Sequence, residues 1–222
     1  MVWDPTWEEL FRNRGWGKYP SEELIRFVAQ NYYQVPDRSR VKILELGCGP
    51  GANLWYLARE GFVVYGVDGS STAIKKCKKR LDSEVPDWIG ELLVDDIVSL
   101  PYKSNFFDVV IDLEAIAHNS LEDSKKIYSE ASRVLKSEGK IFSRTFSVGT
   151  WGDKTGKKIG HNAWNVTDGP MKGHCEYIRF TELDEINDLL VNFNVEKVEL
   201  LNRTLDNRAH EIKEWLIYGA KV

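Results

Sequence analysis

The chain has 222 residues, 42% of them hydrophobic, and a formal net charge of −4; this is enough for one substantial core and unlike a disordered, collagen-like or disulfide-scaffold composition. No apolar run reaches the ~20 residues that cross a bilayer, and the opening MVWDPTWEELFRNRGW is acidic and aromatic where a signal peptide is basic and then apolar, so a soluble, cytoplasmic protein with no membrane partner is expected. Cys48, Cys77 and Cys175 lack short paired spacing, which predicts free thiols, and the negative balance argues against nucleic acid as a partner.

In chain order, PSEELIRFVAQNYY (Pro20 to Tyr33) predicts a leading helix: Ser21 caps it, two glutamates follow, and Leu24, Phe27 and Val28 fall at helical spacing. VKILEL reads as a buried strand. A glycine turn comes next, then a helix with Leu54, Leu57 and Ala58 on one face, ended by Gly61. FVVYGVD gives a second strand and STAIKKCKKRL a helix whose apolar stripe is Ile74, Cys77 and Leu81; its five cationic residues are expected on a solvated face. ELLVDD and FDVVIDL predict two more strands. A helix capped by Ser120 should reach Leu135 and stop at Gly139, before a fifth strand, KIFSRTF. Strands alternating with helices in this way imply a mostly parallel sheet covered on both faces.

The alternation breaks after Phe146. Residues 147–177 are rich in glycine, tryptophan and polar side chains, too long for an ordinary connector of about 2–6 residues, and are expected to form a lid or pocket wall. A capped helix, TELDEINDLL, follows. Two last strands, NVEKVELLNR and HEIKEWLIYGAKV, are joined by the short TLDNRA, which predicts an antiparallel pair. The whole reads as one domain over 1–222, with an N-terminal cap over 1–35.

The turn GCGPG is the most informative stretch. In an open parallel sheet a ligand sits beyond the carboxyl ends of the strands, where strand order reverses, and Gly47, Gly49 and Gly51 would let backbone turn tightly and approach it. Asp68 ends the second strand 21 residues after Gly47, in place to accept from ribose hydroxyls. On these residues alone a nicotinamide dinucleotide remains open, because Gly47, Gly49 and Ala52 satisfy the relaxed G-x-G-x-x-G/A pattern.

LELGCGPG, with Glu45 two residues before its first glycine, resembles the first motif of the class I S-adenosylmethionine-dependent methyltransferases. VYGVDGS resembles the second motif, DDIVSLPYKSNFFDVVIDLEAIAHN the third and fourth, and SRVLKSEGKIF the helix, glycine and strand that follow; the antiparallel ending is similar to that family's sheet edge. The resemblance implies a Rossmann-like, doubly wound α/β fold, with a mostly parallel seven-stranded sheet and an antiparallel final strand. S-adenosyl-L-methionine would be the cofactor. Gly47, Gly49 and Gly51 would form the floor beneath it, with Glu45 organising the loop and Asn53 beside it. Asp68, Gly69 and Ser70 would hold the ribose, Asp96 the adenine amino group and Ile97 the ring, while Asp112 and Leu113 would line the methionine portion. Asp96 is preferred to Asp95 because its spacing to LP matches the family pattern.

His118 lies just past the fourth strand, and its ordinary pKa near 6.5 suits a general base. Trp16 and Tyr19 are candidates for a roof. In the insertion, Trp151 and His161, with Lys154, Lys157, Lys158 and Trp164, would recognise a sugar or a phosphorylated metabolite. His161, His174 and Cys175 lack metal-ligand spacing, so no metal is proposed. The expected reaction is methyl transfer to a hydroxyl or amine of a small polar molecule, of sugar or sugar-like kind. A non-catalytic cofactor- or partner-binding protein of the same fold is the alternative, and an NAD-dependent oxidoreductase a more distant one; the oligomeric state is not legible.

Overall fold

The computed structural model describes residues 3–222; the first two residues of the expected cap lie outside them. The chain runs α1 (Thr6–Asn13), α2 (Glu22–Tyr32), β1 (Lys42–Leu46), α3 (Ala52–Arg59), β2 (Val63–Asp68), α4 (Ser71–Glu84), β3 (Gly90–Val94), β4 (Phe107–Leu113), α5 (Leu121–Val134) and β5 (Leu135–Phe146). Then follow β6 (Lys157–Gly160), β7 (Ala163–Asn165), β8 (Ile178–Arg179), α6 (Glu185–Leu189), β9 (Phe193–Leu205) and β10 (His210–Lys221). The main sheet has the order β3-β2-β1-β4-β5-β10-β9, and only β10 runs antiparallel to its neighbours. This is the expected doubly wound sheet. Its order reverses between β1 and β4, so a crevice opens at their carboxyl ends.

Local chemistry accounts for the helix starts. Ser21 accepts from the Leu24 amide at 3.3 Å, Ser70 from the Ala73 amide at 3.0 Å and Ser120 from the Asp123 amide at 3.0 Å. β1 and β4 are buried almost throughout, as central parallel strands covered on both faces must be. On one face Leu24, Phe27, Leu54, Leu57 and Ile74 pack from α2, α3 and α4; on the other Ile127, Ala131, Ile186 and Leu189 pack from α5 and α6. The cations of α4 are largely a solvated face, with Lys78 paired to Asp82 and Arg80 to Glu84. All three cysteines are buried and free.

Three expectations change. α1 was not anticipated, although Trp7, Leu10 and Phe11 stand at helical spacing behind Pro5. Gly139 does not stop α5: that helix ends at Val134 and the chain passes directly into β5. Phe107 pairs with Leu135 but Val109 with Lys140, so the extra residues bulge out, with Glu138 at φ 61°. The insertion is not an irregular lid. It forms a three-stranded antiparallel sheet, β6-β7-β8, over its own apolar cluster of Val166, Cys175, Ile178 and Phe180 against Phe146 and Ala117.

Gly51 shows how tightly the switch point is packed. At φ 83°, a Cβ there would sit 2.3 Å from Cys77 Sγ on α4. Gly51→Ala is therefore expected to cost about 1–3 kcal/mol from the left-handed backbone and the clash together, read as a lowered urea midpoint at unchanged slope.

Candidate functional site

A cavity of about 260 Å³ occupies the crevice beyond β1 and β4. Its floor is the turn after β1. Gly47 carries φ 63°, and a Cβ on it would come within 2.4 Å of the Ala115 Cβ, so only glycine lets the β1 and β4 turns close on each other. The Gly47 and Cys48 amides both donate to the Val67 carbonyl, holding the turn against the end of β2.

Asp68 ties floor to wall. Its Oδ2 accepts from the Gly49 amide and its Oδ1 from the Ser70 amide, both at 2.8 Å. Burial raises its pKa, partly offset by those two amides. Glu45 is also buried, and its Oε1 accepts from the Asn53 side chain at 2.5 Å; burial, opposed by that bond, pushes its pKa up to about 8. Its Oε2 has no hydrogen-bond partner among the described residues and the residue lines the cavity.

The cavity brings Glu45, Gly47, Gly49, Asn53, Asp68 and Gly69 together, with Ile97 and Leu113 further along the wall. Four expected cofactor residues do not line it. Gly51 sits behind the loop against Cys77, and Ser70 is consumed in capping α4 and in a bond to Glu8. Asp112 is fully buried and accepts from Ser143 Oγ at 2.6 Å and the Ile116 amide at 3.1 Å; burial, opposed by these bonds, moves its pKa up to about 6. At the third strand the structure brings Asp95, not Asp96, to the wall, while Asp96 Oδ1 accepts from the Val98 amide. Neighbouring residues leaving a strand point in different directions, and spacing to the LP pair does not resolve which one faces inward.

The roof comes from the N-terminus. Trp7, Phe11 and Trp16 form an aromatic box with ring centroids 5.1–6.1 Å apart, and all three line the cavity. Tyr19 does not; it is 74% exposed and packs on the edge of Trp55. The roof helix α1 is fastened by Glu8, which accepts from Ser70 Oγ, Thr72 Oγ1 and the Thr72 amide at the start of α4, and by Lys76 donating to the Phe11 carbonyl. The hydroxyl bonds hold the Glu8 carboxyl down to about 2.

His118 stands in the wall beneath Trp7, ring centroids 4.8 Å apart. Its Nδ1 lies 3.1 Å from the Tyr177 carbonyl, which only accepts, and 3.2 Å from Cys175 Sγ, whose own hydrogen reaches the same carbonyl at 3.4 Å; this arrangement favours a hydrogen on Nδ1 and the lone pair on Nε2. Burial pulls its pKa down to about 4, against the pull of that carbonyl, and the ring is neutral near pH 7.

The insertion reaches the cavity only through Met171 and His174. Trp151 stacks on His210 at 3.7 Å and donates to Asp168 Oδ2 at 2.9 Å; His161 pairs with Glu185. Neither expected recognition residue is in the site: Trp151, ahead of the small sheet, is held by His210 and Asp168, and His161, in its first turn, by Glu185. Asp4, Trp7, Phe11, Asp95, Glu114, Met171 and His174 are lining residues the sequence reading missed. The spacing of Trp7 and Phe11 could have found α1; the others come from long-range packing. No group of His, Cys, Asp and Glu fit to hold a metal occurs among the described residues, and no helix there is long and apolar enough to cross a membrane.

The family model that matches, over residues 44–143, is described as a methyltransferase domain. A ubiquinone biosynthesis O-methyltransferase of Bartonella quintana is 29% identical over 155 residues, covering 68% of this chain and 58% of that protein. An uncharacterised methyltransferase of Schizosaccharomyces pombe is 32% identical over 106 residues, covering 47% of this chain and 71% of its own. Among solved structures, a SAM-dependent methyltransferase from Methanosarcina mazei aligns with a TM-score of 0.71 at 21% identity, over 88% of this chain and 97% of that one. The chain spans 38% to 58% of the length of several curated relatives it matches.

Two outcomes are expected. Glu8→Ala should cost about 1–2 kcal/mol by removing charge-assisted bonds that hold the roof, measured by urea unfolding. For His118, the unfolded imidazole takes up a proton below about pH 6.5, whereas the folded ring stays neutral down to about 4. Stability should therefore fall as pH drops through that window, and His118→Phe should flatten the profile there when melting temperatures are compared from pH 7 to pH 4.

Proposed function

This chain belongs to the class I S-adenosylmethionine-dependent methyltransferases, and we propose that it transfers a methyl group to a hydroxyl or amine of a small polar molecule, with His118 as the proton acceptor. The residues present fit the cofactor. Unpartnered Glu45 Oε2 would accept from the amino group of its methionine portion, Asp68 and Gly69 would meet its ribose, and Asp95 and Ile97, lining the same cavity, would meet its adenine. When bound, the cofactor supplies an electrophilic methyl on a positively charged sulfur, so the protein's own task is placement and proton handling.

The observation that carries the acceptor side is the tautomer of His118. Its Nδ1–H is committed to the Tyr177 carbonyl, and its neutral state leaves the Nε2 lone pair available to a hydroxyl or amine proton. α1 covers part of this space with Trp7 and Phe11, whose apolar rings limit the water that reaches it. The sugar or phosphate expectation loses its support, since Trp151, His161 and the lysines of the insertion lie outside the cavity. A small-molecule acceptor is favoured over nucleic acid because no lysine or arginine lines the cavity among the described residues.

The test is calorimetric binding of S-adenosylhomocysteine, followed by methyl transfer from labelled S-adenosylmethionine to a library of small alcohols and amines. Wild type should bind S-adenosylhomocysteine, and His118→Ala should lose about 100-fold or more in kcat while keeping that affinity within about twofold. A wild type that does not bind S-adenosylhomocysteine overturns the cofactor reading. Full turnover by His118→Ala overturns the base.

A further inference from the structure

Past Leu113 the cavity wall changes character. Asp4, Trp7, Phe11 and Trp16 face it from the N-terminal segment, and Glu114 and His118 from the turn after β4. Burial holds both histidines in the wall, His118 and His174, toward their neutral forms; Arg14 stands near His174 but does not line the cavity. Any formal charge on the side chains that face this half of the cavity is therefore negative, from Asp4 and, once ionised, Glu114.

Asp4 is ionised. Burial opposes this, but its Oδ1 accepts from the Thr6 amide at 2.8 Å and its hydroxyl at 2.5 Å, and its Oδ2 from the Glu176 amide at 3.1 Å, so its pKa lies below the usual value.

Glu114 is held differently. It takes φ 72°, a left-handed conformation that a residue other than glycine keeps only when its surroundings impose it. Its amide donates to the Arg144 carbonyl at 2.8 Å, and its Oε1 lies 3.0 Å from Arg144 Nη2. The same guanidinium is gripped by Glu214 at 2.7–2.9 Å and approached by Glu23 at 3.8 Å. Three carboxylates thus surround one cation, and Asp112 adds negative charge from the end of β4. Burial, together with the bond to Glu214 and only partly offset by Arg144, pushes the Glu114 carboxyl up to about 8. Near pH 7 Glu114 therefore holds a proton.

We propose that the methyl acceptor is a ring-bearing amine that enters as its ammonium form against Trp7 and Trp16, between Asp4 and Glu114, and gives one N–H proton to His118 Nε2, so that the freed nitrogen lone pair takes the methyl and S-adenosylhomocysteine leaves. This narrows the methyl-transfer reading above and rests on it. Aromatic faces and carboxylates both attract a cation, and a desolvated ammonium over an indole gains more than a neutral group of the same shape. A carboxylate or phosphate on the acceptor would meet like charge and no lysine or arginine among the side chains that line the cavity. The geometry has a second consequence. A cation beside Glu114 stabilises its ionised form, so binding should expel the Glu114 proton into solvent.

The experiment is titration calorimetry of the S-adenosylhomocysteine-loaded full chain at pH 7 with three matched probes: phenethylamine, 2-phenylethanol and phenylacetate. Running each in phosphate and in Tris separates the heat of proton release. Phenethylamine should bind about tenfold or more tighter than either other probe, with close to one proton released. Glu114→Gln should weaken the amine and abolish the release. Asp4→Asn should weaken it and leave the release in place, which keeps the proposal testable if Glu114→Gln does not fold. Equal or tighter binding of the alcohol or the acid, no binding of any probe, or proton release that survives Glu114→Gln would each overturn the assignment. Failure of the wild type to load S-adenosylhomocysteine is a separate result, because it strikes the methyl-transfer reading itself.

Discussion

The site depends first on one buried carboxylate. Asp68 ends β2 and uses one oxygen to hold the Gly49 amide of the β1 turn and the other to hold the Ser70 amide at the start of α4. Ser70 then donates to Glu8, so a continuous set of bonds runs from the cavity floor, through the switch point, to the roof helix. Burying Asp68 is unfavourable to its charge, and the two amides are what make the ionised form tolerable there. The floor and the roof of the cavity are thereby positioned by one group.

A second constraint is the meeting of the β1 and β4 turns. With Ala115 packed on Gly47, the residues that follow β4 are forced into the cavity wall directly beside the floor. That puts left-handed Glu114 and His118 at the boundary between the two halves. The Tyr177 carbonyl, delivered from the segment just before β8, then selects the His118 tautomer. The insertion matters to the site through this backbone oxygen, Met171 and His174 more than through its tryptophans. Its remaining aromatic and basic side chains serve the small sheet and its surroundings, as the stacking of Trp151 on His210 illustrates.

Much of this was legible before any coordinates. The apolar runs around Ile43, Val64 and Val110, each followed by an amphipathic helix, predict central parallel strands because alternation with helices leaves few other arrangements. The short link between β9 and β10 dictates their antiparallel pairing. Where the reading failed, the cause was non-local. Gly139 was read as a helix stop because glycine ends helices when nothing else intervenes, yet strand pairing with β4 captured the segment and bulged it. For Asp112 the resemblance implies a place beside the cofactor, but Ser143 and the Ile116 amide bind both its oxygens inside the core.

By itself, the sequence determined the doubly wound sheet, the glycine turn at its switch point and the carboxylate that closes the second strand, since each is encoded by residues close together in the chain and by periodicity. Tertiary structure alone decided which side chains share the cavity. Trp7, Asp4 and Glu114 meet there, and Trp151 and His161 do not, because separation along the chain says little about distance across a packed interior. It also decided their protonation: burial of His118 and the crowding of Glu114, Glu214 and Glu23 on one arginine are properties of the assembled surroundings.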